Sequence, residues 1–163
     1  MLRSMMIMLT IAMAVSFVPA VAIAGGSAFQ FSLTGGAGAA GDSFTSSALL
    51  DNAGGGDVQG WSFGVCSDPA ALTVDGAASG ADTETAKNGS APDFNQISTF
   101  ADGATQGVVL CFTGCAVIGD TSGFEMLTID YTIAGSSDTT IDYCGTLGAP
   151  PVNTVVVVGG ASL

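Results

Sequence analysis

Four cysteines, fourteen carboxylates and no histidine set the chemistry open to this chain. Without imidazole there is no Ser-His-Asp triad, no Cys-His dyad and no His-ligated zinc. A pair of carboxylates can still hydrolyse a glycosidic bond. The only glutamates are Glu84, in a loop-like stretch, and Glu125, at the start of an alternating run. The many aspartates make chance pairs common, so we expect a protein that is not an enzyme. The Gly-rich "TGGAGAAG" at 34–41 lacks the Lys-Ser/Thr ending of a phosphate-binding loop. Two acidic turns remain. "DNAGGGD" places Asp51, Asn52 and Asp57 in one loop, and "DGAASGADTE" holds Asp75, Asp82 and Glu84. Oxygen ligands of this kind suit calcium, although neither turn matches the EF-hand spacing. No cofactor is expected, and calcium is the one ion these turns leave open.

The cysteines are Cys66, Cys111, Cys115 and Cys144. A tetrathiolate zinc site would want paired C-x-x-C spacing, which is missing here. Disulfides are the alternative, and four cysteines allow three pairings. Spacing favours one of them. "VVLCFTGCAVI" sets Cys111 and Cys115 around Phe112-Thr113-Gly114. A hairpin loop with Gly late in it would bring the two within disulfide reach. Cys66 then pairs with Cys144. In "GWSFGVC" and "TTIDYCG" both of those cysteines lie off the apolar face of their strands. Such a bond requires the strands to be neighbours in one sheet, or the cysteines to sit at strand ends.

Disulfides need an oxidising compartment, and the N-terminus supplies a route. Arg3 precedes an apolar run from Met5 to Phe17, and small residues follow to Ala22-Ile23-Ala24. This is the pattern of a signal peptide over residues 1–24, so the protein is expected to be secreted, extracellular or at the cell surface. No later segment is long and apolar enough to cross a membrane as a helix. All 14 acidic residues lie after position 24, where Lys87 is the sole basic residue. Nucleic acid is therefore excluded as a partner, because phosphate contacts need Lys and Arg. Anionic membrane surfaces are disfavoured for the same reason.

Period-two alternation dominates the rest. "AFQFSL" puts Phe29, Phe31 and Leu33 on one face, and "DSFTSSALLDN" groups Phe44, Ala48 and Leu50. Trp61, Phe63 and Val65 share a face, as do Val108, Leu110 and Phe112, and Leu127, Ile129, Tyr131 and Ile133. Ile141 and Tyr143 align, and "VVVV" at 155–158 suits a strand buried on both faces. Gly, Asp, Asn and Ser clusters separate the runs. The longest irregular piece is 76–93. Strands without helices must cover one another. The expectation is an all-β, antiparallel two-sheet sandwich of about eight or nine strands, formed as one domain over 25–163. Phe29, Phe31, Phe63, Val65, Leu110, Ile129, Tyr131 and Ile141 should be buried in it.

One stretch carries more than periodicity. "GDSFTSSALLDNAGGGDVQGWSFGVCSDPAALTV", residues 41–74, resembles the opening of cohesin-like modules. The shared elements are Gly41-Asp42, an alternating strand, Val58-Gln59-Gly60-Trp61-Ser62-Phe63, the Asp68-Pro69 turn and the return strand Leu72-Thr73-Val74. "IDYCGTLGAPPVNTVVVVGGAS" is similar to the ending of such domains in exported bacterial proteins. The resemblance implies a jelly-roll sandwich, a fold shared with carbohydrate-binding modules. It also implies an exported, non-catalytic binding module for protein–protein or carbohydrate recognition, with an extracellular protein or polysaccharide as partner and a link to polysaccharide breakdown. The alternative is a cell-surface structural or adhesive protein without a defined small ligand. Two physical readings stand beside the resemblance. Gly60 suits a bulge or a close backbone approach. Trp61 belongs with the core by its face, and is otherwise a platform on which a sugar ring could stack.

Overall fold

Alternation decides which face most strands bury, and the two sheets hold ten strands. In the computed structural model, which describes residues 28–163, they are β1 (Phe29–Leu33), β2 (Ser43–Asn52), β3 (Val58–Ser67), β4 (Leu72–Ser79), β5 (Phe94–Phe100), β6 (Gly103–Val109), β7 (Thr121–Ile133), β8 (Ile141–Cys144), β9 (Val155–Val158) and β10 (Ala161–Ser162). The signal-peptide expectation for residues 1–24 lies outside the described residues.

The strands form two antiparallel sheets. One has the order β1-β2-β7-β4. The other runs β10-β9-β3-β6-β5, and β8 joins it by pairing with β3. β9 takes the first half of β3 and β8 the second half, end to end along one edge. All eight residues expected in the core are buried. Leu50, Leu127, Ile129 and Tyr131 of one sheet share that core with Trp61, Phe63 and Val65 of the other. Phe31 bridges the layers, edge-on to Phe63 and to Tyr143 with ring centroids 6.3 and 5.5 Å apart. Asp68 builds the turn into β4: its Oδ1 accepts from the Ala70 amide at 2.9 Å and its carbonyl accepts from Leu72 at 2.9 Å.

Several details depart from the sequence reading. β5 was not expected, and it lies within what spacing left between the long irregular piece and the run at 108. "FNQISTF" mixes polar and apolar residues on both faces. It is the edge strand of its sheet, so no clean alternation is demanded of it. The irregular piece is shorter than 76–93: β4 continues to Ser79, and a 3-10 turn covers Thr83–Thr85. β9 is not buried on both faces; only Val156, opposite inward Trp61, is fully buried, because Val155 and Val157 lie on the outer face of a two-layer sandwich. Phe112 does not continue the inward face of Val108 and Leu110. β6 ends at Val109, and Phe112 is 70% exposed.

Candidate interaction surface

The sequence-predicted site residues divide sharply. Trp61 is only 2% exposed and offers no face to a sugar ring. Its indole Nε1 donates to Gln106 Oε1 at 3.0 Å, and Gln106 Nε2 donates to the Met126 carbonyl and to Asn95 Oδ1. The platform reading of Trp61 is thus corrected: an aromatic on the face of Phe63 and Val65 goes inward with them.

The acidic turns do not converge on a cation. Asp51 accepts from the Gly123 amide, and Asp75 from the Thr132 hydroxyl. Asn52 is buried and staples its own loop, donating to the carbonyls of Gly56 and Gly119 and accepting from the Gly55 amide. Asp82 accepts from the Glu125 amide, and Glu125 accepts from Ser47 and from the Ala81 amide. These carboxylates fasten loops to strands; Asp57 and Glu84 are exposed. Among the described residues no group of three or more possible metal ligands comes together. The Asp82–Glu125 clamp was not legible in the sequence, since the two residues are far apart along the chain.

The cysteines stand where spacing placed them. Cys66 bonds Cys144 with Cα atoms 5.8 Å apart, and Cys111 bonds Cys115 at 5.6 Å. β3 and β8 are neighbours in one sheet, with Gly64 opposite Cys144 and Cys66 opposite Asp142. The first bond therefore lies on the outer face, as two cysteines off the apolar face require. The second closes a turn rather than a strand-flanked hairpin. The Gly114 amide donates to the Cys111 carbonyl at 3.0 Å, and Gly114 takes φ +72°.

The outer face of the six-stranded sheet carries the feature that composition did not announce. Directly opposed residues share a face, and register aligns Phe94, Val109, Gly60 and Val157 across β5, β6, β3 and β9. Phe94 and Val109 are exposed, at 43% and 37%. Gly60 interrupts the row, and the register slips between Val58 and Gly60. A Cβ there would run into the Val108 carbonyl oxygen. The strands thus approach more closely than a side chain allows, and a notch is left in the row. Together with Phe112 and the Gly159-Gly160 turn, the notch forms a cleft of about 420 Å³. Gln59 braces its rim, its Oε1 accepting from the Gly160 amide at 2.8 Å.

Phe112 is held in place at the cleft. Its amide donates to Asp93 Oδ2 at 3.0 Å, and Asp93 Oδ1 is paired with Lys87. The Lys87 ammonium, helped by the Phe112 amide, holds the Asp93 carboxyl below the usual carboxylate range.

No sequence family and no curated protein matches the chain. A solved structure does. The third cohesin of ScaC from Acetivibrio cellulolyticus, in complex with the ScaB dockerin, aligns with a TM-score of 0.57 over 76% of this chain and 82% of that one, at 17% identity. The fold is cohesin-like. In this fold the Gly-Asp, V-x-G-aromatic and Asp-Pro elements of residues 41–74 each build a strand or a turn.

Proposed function

We propose that this protein is an exported, non-catalytic recognition module, with residues 25–163 as its mature domain, and that its ligand is another protein outside the cell. The observation that carries this reading is the apolar row on the outer face of the six-stranded sheet, with Phe94 and Val109 exposed and Val157 half-buried around Gly60. Exposed apolar surface on a strand face is costly in water and supports a docking role. The cohesin neighbour supports it, since that protein was captured with a dockerin, a protein ligand. Two disulfides and the expected signal peptide fit an oxidising, extracellular setting. Absence of histidine removes the commonest general base, and Asp82 and Glu125 are employed in loop fastening. Within this reading the partner belongs to machinery that acts on polysaccharide, as in the assemblies where cohesins serve.

The test is a comparison of two immobilised ligands. Exported proteins from the producing cells and insoluble polysaccharides are each offered to the purified protein, and any captured protein is purified and titrated back. Saturable binding of one exported protein supports the module. Retention on polysaccharide alone would replace protein recognition by carbohydrate recognition, and binding to neither would favour the structural or adhesive alternative.

A further inference from the structure

The turn between Lys87 and Ser90 joins an asparagine to a glycine, and that pair carries chemistry of its own. We propose that Asn88 is a site of spontaneous deamidation, held closed by the turn and by the loop that the Cys111–Cys115 disulfide shapes.

The reaction needs neither an enzyme nor an oxidant. The Gly89 nitrogen gives up its proton to base and bonds Asn88 Cγ. The Cγ–Nδ2 bond then breaks, and ammonia leaves. Water opens the resulting cyclic imide at either carbonyl, which leaves aspartate or isoaspartate at 88. Glycine at 89 sets no side chain beside the attacking nitrogen, and Asn88 is exposed, so base and water reach it.

The folded geometry opposes each step. Lys87 and Ser90 exchange both backbone hydrogen bonds, at 2.9 and 3.1 Å, which fixes the turn. Asn88 and Gly89 take φ of 52° and 88°, the left-handed pair that Asn-Gly supplies to such a turn. The Gly89 amide donates to the Thr85 carbonyl at 2.8 Å, so the attacking nitrogen is engaged. Asn88 Nδ2 donates to the Cys115 carbonyl at 3.2 Å, so the leaving amide is engaged as well. This second tether depends on where Cys115 stands, and its bond to Cys111 sets that. Opening the disulfide releases the carbonyl, and with it the Asn88 carboxamide. Conversion acts back on the same loop. An ionised aspartate at 88 cannot donate to Cys115, and it adds a carboxylate next to Lys87, which Asp93 already engages.

The test incubates three samples in mildly alkaline buffer: the folded parent, the parent unfolded in guanidinium chloride, and the double variant Cys111→Ser with Cys115→Ser. Mass spectrometry follows the peptide that contains residue 88, and released ammonia is measured beside it. The unfolded parent should convert fastest and the folded parent slowest. The double variant should convert about fivefold faster than the folded parent, the factor that one hydrogen bond of ordinary net strength commands. Unchanged fluorescence of Trp61 reports that the variant is folded. Equal rates in the folded parent and the folded variant would overturn the proposal. So would a folded parent that converts as fast as the unfolded chain, or an unfolded chain that keeps its amide. Should the variant unfold, hydrogen exchange in the parent decides: the Gly89 amide is expected to be protected, and exchange at the rate of an open loop would overturn the proposal.

Discussion

Gln106 and Trp61 show how one polar residue inside a sandwich is made tolerable. Gln106 is 1% exposed, and its amide bonds the Trp61 indole, Asn95 and the Met126 carbonyl. Gln106→Leu keeps the volume but leaves the buried indole N–H without its acceptor and Asn95 Oδ1 without its donor, while the Met126 carbonyl keeps the Gly80 amide and the Thr83 hydroxyl. It should cost about 1 to 3 kcal/mol, read from the urea midpoint. A neutral result would show that the network contributes nothing net. Tyr131 poses the opposite problem. Its ring is fully buried against Phe44, and burial pushes its phenol up to about 12. The Ser67 hydroxyl beside it offsets only part of that, and neither oxygen makes a well-aligned hydrogen bond. Burial raises the Tyr143 phenol as well, although that hydroxyl donates to the Ser32 carbonyl. The unfolded chain ionises its tyrosines near 10, whereas the folded chain must keep Tyr131 neutral until about 12. Stability is therefore fully present below pH 10 and falls as pH rises through that window, by up to about 2 to 3 kcal/mol for Tyr131. Urea midpoints across the alkaline range test this. Phenolate absorbance appearing at its ordinary pH in the folded protein would contradict the burial.

Strand elements were legible where one face alone was apolar. "EMLTIDYTI" and "GWSFGVC" each announce a strand and its inward face, because a period of two with bulky residues on one side has no other packing solution. β5 was missed for the converse reason: at an edge, with Asn95 and Ile97 inward and Phe94 outward, neither face is purely apolar. The cleft was hidden likewise. It depends on which residue of β6 falls opposite Gly60, and register is a property of two strands, not one. Phe112 misled because its alternation with Leu110 runs past the end of β6 into a turn. The disulfides were readable from the Gly-containing spacing of Cys111 and Cys115, which left Cys66 for Cys144, and the neighbouring strands β3 and β8 meet what that bond demands. The two bonds differ in what they do for the fold. Cys66–Cys144 spans 78 residues and Cys111–Cys115 spans 4. Loop-closure entropy then predicts a loss of about 4 to 5 kcal/mol when the first pair becomes serine and about 2 for the second. Unfolding of both double variants in urea checks the ranking, and equal losses would count against a constrained unfolded chain as the cause.

Across the whole molecule, one sign of charge prevails. Fourteen carboxylates face two basic residues, and among the described residues the ion pair is Lys87–Asp93, with both partners partly exposed. In most proteins salt has opposing effects, weakening favourable pairs and unfavourable repulsions together. Here there is little of the first kind to lose, since a solvent-exposed pair contributes little. Repulsion among the exposed carboxylates is screened by salt: the Debye length falls from about 30 Å at 0.01 M to about 3 Å at 1 M. Folding crowds these carboxylates together, so self-repulsion is larger in the compact state than in the extended one. The melting temperature should therefore rise as sodium chloride is increased from about 0.01 M to about 0.5 M. A melting temperature that falls with salt would mean that the carboxylates are organised around favourable contacts the ion pair does not reveal.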